Sequence, residues 1–213
     1  MMRGISYWSL ENGLAGTHPI DQALQEARNT GFEALELCIG LEGVLNIQST
    51  RKECEAIRRT VDKSGLGVET LACGLCWDCC LTDPRATVRR EAIRRHKAAL
   101  QRAAWLGCKA MLFVPGAVHI PWDTSYPAVG YESALAWSAA AIGRLLPLAE
   151  RLGVDLCMEN VWNGMFYSPL EFRDFIDAWG SERFKAYFDV GNVLGYHQHP
   201  QDWIAILGER IGR

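Results

Sequence analysis

Six short apolar runs, separated by longer segments with helical periodicity, constrain the fold of this chain more than any other feature. The runs are rich in Val, Ile, Leu and aromatic residues and are apolar on both faces, as buried parallel strands are. Their first residues lie roughly 30 to 45 positions apart, which is the size of one strand–helix unit. We therefore predict an α/β fold with strands at residues 4–10, 34–39, 67–73, 110–115, 154–161 and 186–190.

The segments between the runs carry helix start and stop signals. Three helical patterns end in a glycine a few residues before the next strand, at Gly31, Gly107 and Gly153. This repeated connection predicts parallel strands in sequence order, joined by right-handed crossovers. The predicted helices are residues 21–30, a helix capped by Ser49 or Thr50 that reaches Lys63, and residues 86–106, 132–152, 169–179 and 200–207.

Length and composition indicate a single domain. The chain has 213 residues, of which 49% are hydrophobic, and this is enough apolar material for one sizeable core. Its net charge of −3 gives no reason to expect nucleic acid or a membrane surface as a partner. No apolar run approaches the ~20 residues that span a bilayer. We therefore expect neither of these partners.

The N-terminus and the cysteines both bear on the compartment. The chain enters a strand-like run within a few residues of Met1, with no secretory signal before it. Cys79 and Cys80 are adjacent, and Cys38 and Cys157 lie inside apolar runs, which fits reduced thiols better than a disulfide framework. We therefore expect a cytoplasmic protein.

The cysteines also suggest a rival site. Cys73, Cys76 and Cys79 form a C-x-x-C-x-x-C pattern after the third run, as in part of a ferredoxin cluster motif. Asp83 stands where a fourth cysteine would be, and Cys80 is adjacent to Cys79, which makes a zinc site awkward. Reduced loop thiols near the pocket are the prediction, and a metal or cluster site is the alternative.

Parallel strands of this number can form either an open doubly wound sheet or part of a barrel. No G-x-G-x-x-G follows the first run, and that motif would favour the dinucleotide-binding sheet. Polar residues cluster instead just after the runs, where active sites lie in both architectures. They are Glu11, Glu42, Asp78, His119, Asn163 and Asn192.

Two carboxylates stand at the ends of neighbouring runs, Glu159 on the fifth and Asp189 on the sixth. A charged residue at the end of a buried strand is costly unless it is paired or binds a cation. Because the ends of neighbouring parallel strands converge, the pair predicts a half-site for Mg²⁺ or Mn²⁺, or for Co²⁺ or Zn²⁺ if a histidine joins. The alternative is that each carboxylate caps the following helix or pairs with Lys or Arg.

Around these carboxylates the sequence resembles a known superfamily. E-N-V-W-N at residues 159–163, S-P-L-E-F at 168–172 and F-D-V-G-N at 188–192 are similar to motifs of the sugar phosphate isomerase/epimerase superfamily, the xylose isomerase-like TIM barrels. Supporting segments are S-Y-W-S at 6–9, A-L-E-L at 34–37, F-V-P-G-A-V at 113–118 and P-Q-D-W-I at 200–204. The resemblance covers the whole chain and is specific for the superfamily rather than for a substrate.

The resemblance implies one divalent metal held by a Glu on strand five, an Asp on strand six, a His on strand seven and a Glu on strand eight. Glu159 and Asp189 match the first two, and the other two have no counterpart in this sequence. A complete barrel needs ~250 residues. We therefore expect residues 1–213 to form one (β/α)8-type TIM-barrel domain that is C-terminally incomplete, with six units and open edges at its first and sixth strands. Mn²⁺ is the expected metal.

The resemblance also implies which side chains contact substrate. Asn160, Asn163 and Asn192 would hold sugar hydroxyls, and Trp8 would form an apolar wall unless it is plain core. Glu36 would lie near the pocket floor or hydrogen-bond inside the barrel. His119, after strand four, is a further candidate substrate contact.

The sequence departs from the ketose 3-epimerase pattern in two places. Those enzymes tend to carry an Arg and a further Glu after the strand-five Glu, where this chain has Asn163, Gly164 and Met165. They also tend to have a His three residues after the strand-six Asp, where this chain has Asn192. A relative of these epimerases is therefore favoured over a close match.

The implied function is a metal-dependent isomerase or epimerase acting on a sugar or sugar phosphate. Glu159 would abstract a proton next to a carbonyl to give an enediolate. Alternatives are an inosose-type dehydratase on the same metal site, or an inactive truncated barrel or binding module that needs another chain. A homo-oligomer is also compatible with the sequence.

Overall fold

The computed structural model describes residues 2–213, and six parallel strands form one sheet within them. The strand order is the sequence order, so each strand pairs with the strand of the preceding unit. This confirms the predicted α/β class and rules out the doubly wound order, in which the sheet reverses direction. The strands are β1 (Gly4–Ser6), β2 (Ala34–Ile39), β3 (Thr70–Cys73), β4 (Ala110–Phe113), β5 (Asp155–Glu159) and β6 (Phe184–Tyr187).

The sheet is curved as in a barrel. The hydroxyl of Tyr187 on β6 donates a hydrogen bond of 2.7 Å to the carboxylate of Glu36 on β2. Three strands lie between β2 and β6 in the sheet, so their side chains meet only if the sheet bends around a common interior. The fold is therefore a partial TIM barrel.

Helices connect successive strands, and their apolar sides pack against the sheet and against neighbouring helices. The fully buried Phe113, Phe172 and Phe184 belong to this core. Within residues 2–213, no helix has both the length and the apolarity needed to cross a membrane. The helices are α1 (Ile20–Asn29), α2 (Arg51–Ser64), α3 (Leu75–Asp78), α4 (Ala86–Leu106), α5 (Tyr131–Leu152), α6 (Pro169–Asp177), α7 (Val190–Gly195) and α8 (Pro200–Leu207).

Helix α2 shows how local sequence sets the boundaries of an element. Thr50 is its cap: the Thr50 hydroxyl accepts from the Glu53 amide, and the Glu53 carboxylate accepts from the Thr50 amide at 2.6 Å. This reciprocal capping box satisfies amides that the first helical turn leaves without partners. The helix ends where Gly65 adopts a left-handed conformation with a φ of 74°, which glycine takes without steric cost.

Strand β2 has its predicted bounds and the other five differ from theirs; the first and the sixth end early because the chain turns into a helix. The first ends at Ser6 rather than residue 10, since Tyr7–Ser9 form a 3-10 turn. The sixth ends at Tyr187 rather than residue 190, because Asp189 caps helix α7 and Val190 begins it. The short helices α3 and α7 were not predicted.

The expected open edge at β6 is partly wrong. Ile211 lies opposite Ala186 in a parallel bridge, and the Gly212 amide donates to the Ala186 carbonyl at 2.9 Å. The Phe188 amide in turn donates to the Arg213 carbonyl at 2.8 Å. Residues 211–213 therefore pair with β6 in the manner of a further parallel strand.

Candidate active site

A cavity of about 290 Å³ lies at the carboxyl ends of the strands, where sites of this fold are built. Its polar lining consists of Glu159, Asp189 and Asn192. Its walls are unusually aromatic, with four tryptophans: Trp8, Trp77, Trp122 and Trp162. A polar end facing flat apolar walls suits a ligand that has both hydroxyls and an apolar face.

A second cavity, of about 440 Å³, adjoins the first. The two share Trp8, Gly74 and Trp77 in their linings. Trp77 also makes an edge-on contact with Trp122, with ring centroids 4.9 Å apart. The loop after β3 therefore forms the wall between the two spaces.

Glu159 ends β5 with its carboxylate facing the cavity. Burial raises its pKa to about 8, and the negative charges of Asp189 and Glu36 add to the rise. The Asn192 side-chain amide, 3.4 Å from Oε1, is the one hydrogen-bond partner of this carboxylate among residues 2–213. No basic side chain of residues 2–213 pairs with this carboxylate to favour its ionised form.

Asp189 lies beside Glu159 at the start of α7. Its Oδ1 accepts a hydrogen bond of 2.7 Å from the backbone amide of Asn192, so this carboxylate caps the following helix, as the alternative interpretation expected. In the described part of the chain no Lys, Arg or His forms an ion pair with Asp189 or with Glu159. The cap uses one carboxylate oxygen and leaves the negative charge unpaired.

Asn160 holds the ends of β5 and β6 together. Its side-chain amide donates to the Asp189 carbonyl, and its side-chain oxygen accepts the Asp189 amide, both at 2.8 Å. Both ends of this buried side chain are engaged by backbone, so Asn160 positions Asp189, and its contact with a sugar hydroxyl stays a prediction.

Asn163 also has a structural role. Its side chain is 1% exposed, donates to the Gly116 carbonyl at 2.8 Å and accepts the Met165 amide at 3.0 Å. This side chain fastens the loop after β5 to the loop after β4. His119 lies on that second loop, exposed beside Gly164 and outside the cavity lining. The substrate contacts of Asn163 and His119 stay predictions.

The remaining predicted residues divide between the cavity and the barrel interior. Trp8 and Asn192 line the cavity, and their contact with substrate stays a prediction. Glu36 hydrogen-bonds with Tyr187 inside the barrel, which is the second of its two expected roles. Burial raises the pKa of Glu36, while the hydrogen bond from Tyr187 opposes the rise.

Sequence reasoning missed three of the four tryptophans. Trp162 lies three residues after Glu159, and Trp77 lies four residues after β3, so both follow strand ends directly. Trp122 and Trp162 are among the exposed large apolar side chains, at 58% and 40%. Tryptophans just after strands of a parallel sheet were therefore the available signal.

The donor set suits a divalent cation. Two carboxylates from neighbouring strands line one cavity without a basic partner, and hard cations such as Mn²⁺ and Mg²⁺ prefer carboxylate oxygens. Within residues 2–213 no three His, Cys, Asp or Glu side chains are grouped as a metal site. The cysteine pattern at Cys73, Cys76 and Cys79 therefore does not form the rival cluster site, and Glu159 and Asp189 are the residues that fit a metal.

A curved parallel sheet with its site at the strand ends defines a TIM-barrel protein. The family of xylose isomerase-like TIM barrels matches residues 24–213, and the chain belongs to that family. Among proteins of curated function, none matches the sequence significantly.

Solved structures of sugar epimerases share the fold at low sequence identity. A D-psicose 3-epimerase determined in the presence of D-fructose is 20% identical, with a TM-score of 0.79 over 100% of this chain and 71% of its own. A D-psicose 3-epimerase with D-tagatose from Clostridium cellulolyticum H10 is 17% identical, with a TM-score of 0.82 and the same coverages. An L-ribulose 3-epimerase is 18% identical, with a TM-score of 0.79 over 100% of this chain and 68% of its own.

Proposed function

We propose that this chain belongs to a sugar isomerase or epimerase that moves a proton on the carbon next to a carbonyl, with Glu159 as the base. One observation carries the proposal: a buried carboxyl group without a basic partner ends β5 in a tryptophan-walled cavity, beside a second carboxylate. A general base works best when its pKa lies near the operating pH, and Glu159 has a pKa of about 8.

Each side chain of the cavity has a part in this chemistry. Glu159 takes the proton. The side-chain amide of Asn192 holds the Glu159 carboxylate in place, and it also donates to the backbone carbonyl of Asn160 at 3.0 Å. Return of the proton to the opposite face gives an epimer, and return to the adjacent carbon gives an isomer. Trp8 and Trp162 pack against the apolar face of the sugar and exclude water.

Glu159 and Asp189 would hold a divalent cation, for which we propose Mn²⁺, with Mg²⁺, Co²⁺ or Zn²⁺ as alternatives. When bound, such a cation polarises a carbonyl and stabilises the negative charge that develops on its oxygen. Asn160 supports this site by fixing the backbone of Asp189 on both sides. The cap on Asp189 fixes its side chain in turn.

The substrate class is supported by the family and by the structural neighbours. Solved structures of similar fold include two D-psicose 3-epimerases, one of them with D-tagatose, and an L-ribulose 3-epimerase. We propose a small-molecule sugar or sugar phosphate as the partner, a cytoplasmic location, and a homo-oligomer as the assembly. A single incomplete TIM-barrel domain over residues 1–213 remains our proposal for the domain organisation.

Exchange of a carbon-bound proton tests the chemistry without a guess about stereochemistry. A form of the protein with strands seven and eight restored is incubated in deuterated buffer with a panel of ketoses and ketose phosphates, with and without Mn²⁺, beside residues 1–213 alone, and deuterium incorporation is followed by NMR. We expect Mn²⁺-dependent exchange in the restored protein, little or none in residues 1–213 alone, and a loss of about 10²-fold or more in the restored protein with Glu159→Gln, the usual contribution of a general base.

The matched control is Asp155→Asn, which removes a carboxylate from the opposite end of the same strand. Asp155 pairs with Arg183 at 2.8 Å and lies outside the cavity, so exchange should be unchanged. Calorimetry with Mn²⁺ alone should show weaker binding in both Glu159→Gln and Asp189→Asn. No exchange from any sugar, or full exchange by Glu159→Gln, would contradict the proposal, and loss of water from the substrate would identify a dehydratase instead.

A further inference from the structure

Two cysteines outside the proposed chemistry lie in contact. Cys76 is in helix α3 and Cys80 follows it by one turn, and their sulfur atoms are 3.4 Å apart. Helix α3 ends at Asp78 and the backbone of Cys79 is extended, so the turn after the helix brings Cys80 against Cys76. A disulfide needs a sulfur separation of ~2.05 Å, so a small movement of this one-turn helix would close the bond.

The other thiols of the chain are not arranged in this way. The adjacent Cys79 points elsewhere, with its thiol donating to the Val88 carbonyl at 3.4 Å. Burial raises the pKa of Cys73, Cys108 and Cys157 to about 12, so these thiols resist ionisation. Contact between two sulfurs is thus a feature of the pair alone among residues 2–213.

The surroundings of the pair favour reaction at one sulfur. The Cys80 sulfur lies 3.2 Å from the Thr82 hydroxyl. The hydrogen bond between the two sulfurs lowers the pKa of Cys80 and raises that of Cys76. Cys80 is 4% exposed and Cys76 is fully buried, so Cys80 is also the thiol nearer to solvent.

The pair lies directly behind the cavity wall. Both cysteines belong to a small apolar cluster that also contains Val114, and Trp77 and Val161 pack against it. Trp77, Val114 and Val161 all line the 290 Å³ cavity as well. Trp77 follows Cys76 in the chain and stands on the same helical turn. A change in the separation of the two sulfurs therefore moves a residue that faces the cavity.

We propose that Cys76 and Cys80 form a redox-modification site, at which a peroxide produces an intramolecular disulfide that shifts the Trp77 wall of the cavity. The Cys80 thiolate attacks one oxygen of hydrogen peroxide, the O–O bond breaks, and a sulfenic acid and hydroxide form. The Cys76 sulfur then attacks the Cys80 sulfur and displaces the sulfenic oxygen as water. The two sulfurs lose two electrons in total, and the peroxide is reduced to two waters.

Thiol counting after mild oxidation tests the proposal on the full chain. One equivalent of hydrogen peroxide should lower the number of thiols titratable in denaturant from eight to six. Peptide mapping, with cleavage after Trp77, should show Cys76 linked to Cys80. Tryptophan fluorescence should change on oxidation and return with dithiothreitol, as a moving Trp77 requires.

Single variants identify the partners. Cys76→Ser and Cys80→Ser should lose the linkage, and Cys79→Ser, which removes the neighbouring thiol, should keep it. Eight thiols remaining in the oxidised parent, a link through Cys79, or an unchanged fluorescence spectrum would each overturn the proposal. Mapping of the parent protein decides the linkage even if a variant fails to fold.

Discussion

Acid should destabilise this chain through one buried histidine. His96 lies on the buried face of α4 and is 0% exposed. Its Nδ1 lies 2.8 Å from the Ala92 carbonyl oxygen, so Nδ1 carries the proton, and its Nε2 has no partner among the described residues. Protonation would place a charge and an unsatisfied donor in the core. Burial accordingly lowers the pKa of His96 from 6.5 to about 4.

The size of the effect follows from the two pKa values. Between pH 6.5 and pH 4 the unfolded chain binds this proton more tightly than the folded chain, so stability is lost as the pH falls. Each tenfold difference in proton affinity is worth ~1.4 kcal/mol. The stabilisation of the folded chain by neutral His96 is almost fully present at pH 7. At pH 4 the free energy of unfolding is lower by about 3 kcal/mol.

Urea unfolding of the parent and of His96→Leu at pH 7 and pH 4 measures this contribution. The two should differ by about 1 kcal/mol or less at pH 7, and the variant should be more stable by about 3 kcal/mol at pH 4. An equal difference between parent and His96→Leu at both pH values would refute the reasoning.

Two further predictions concern positions that the backbone constrains. Asn160→Ala leaves the amide and carbonyl of Asp189 without partners, and urea unfolding should show a loss of about 3 kcal/mol; a loss below about 1 kcal/mol would mean that water replaces the side chain. Gly13→Ala places a Cβ 1.9 Å from a backbone oxygen and should lower the stability by about 3 kcal/mol or more. At Gly31, where φ is 83° and no atom lies within 4 Å of the added Cβ, the change to Ala should lower it by about 1 kcal/mol. Equal losses of stability for the two variants in a thermal melt would contradict this difference.

Local signals in the sequence predicted most of the fold. Helix α4 has the bounds that its periodicity and Gly107 indicated, and α8 begins at Pro200, where a proline fits the first turn. Strand β6 was misplaced because the apolar residues around Asp189 continue the strand pattern, while the capping bond of that side chain turns the backbone into a helix. One side-chain hydrogen bond decides whether these residues continue the strand or begin a helix, and the spacing of apolar residues gives no information about that bond.

The candidate site was predicted in part. Glu159 and Asp189 were found because a charge at the end of an apolar run is unusual in sequence. The three asparagines were treated alike, yet the structure separates them: Asn192 lines the cavity, whereas the amides of Asn160 and Asn163 are taken up by backbone. Which backbone groups lack partners depends on the loops around them, so composition and spacing do not distinguish these roles.

The bond between Tyr187 and Glu36 has a consequence for the order in which the chain folds. Every strand pairs with its immediate predecessor, so the strand pairings are made over one unit of sequence at a time, and loop-closure entropy is lost in small steps. The two residues of this bond are 151 positions apart. It can form only after the intervening units have docked and bent, so it marks the completion of the curved sheet rather than its nucleation.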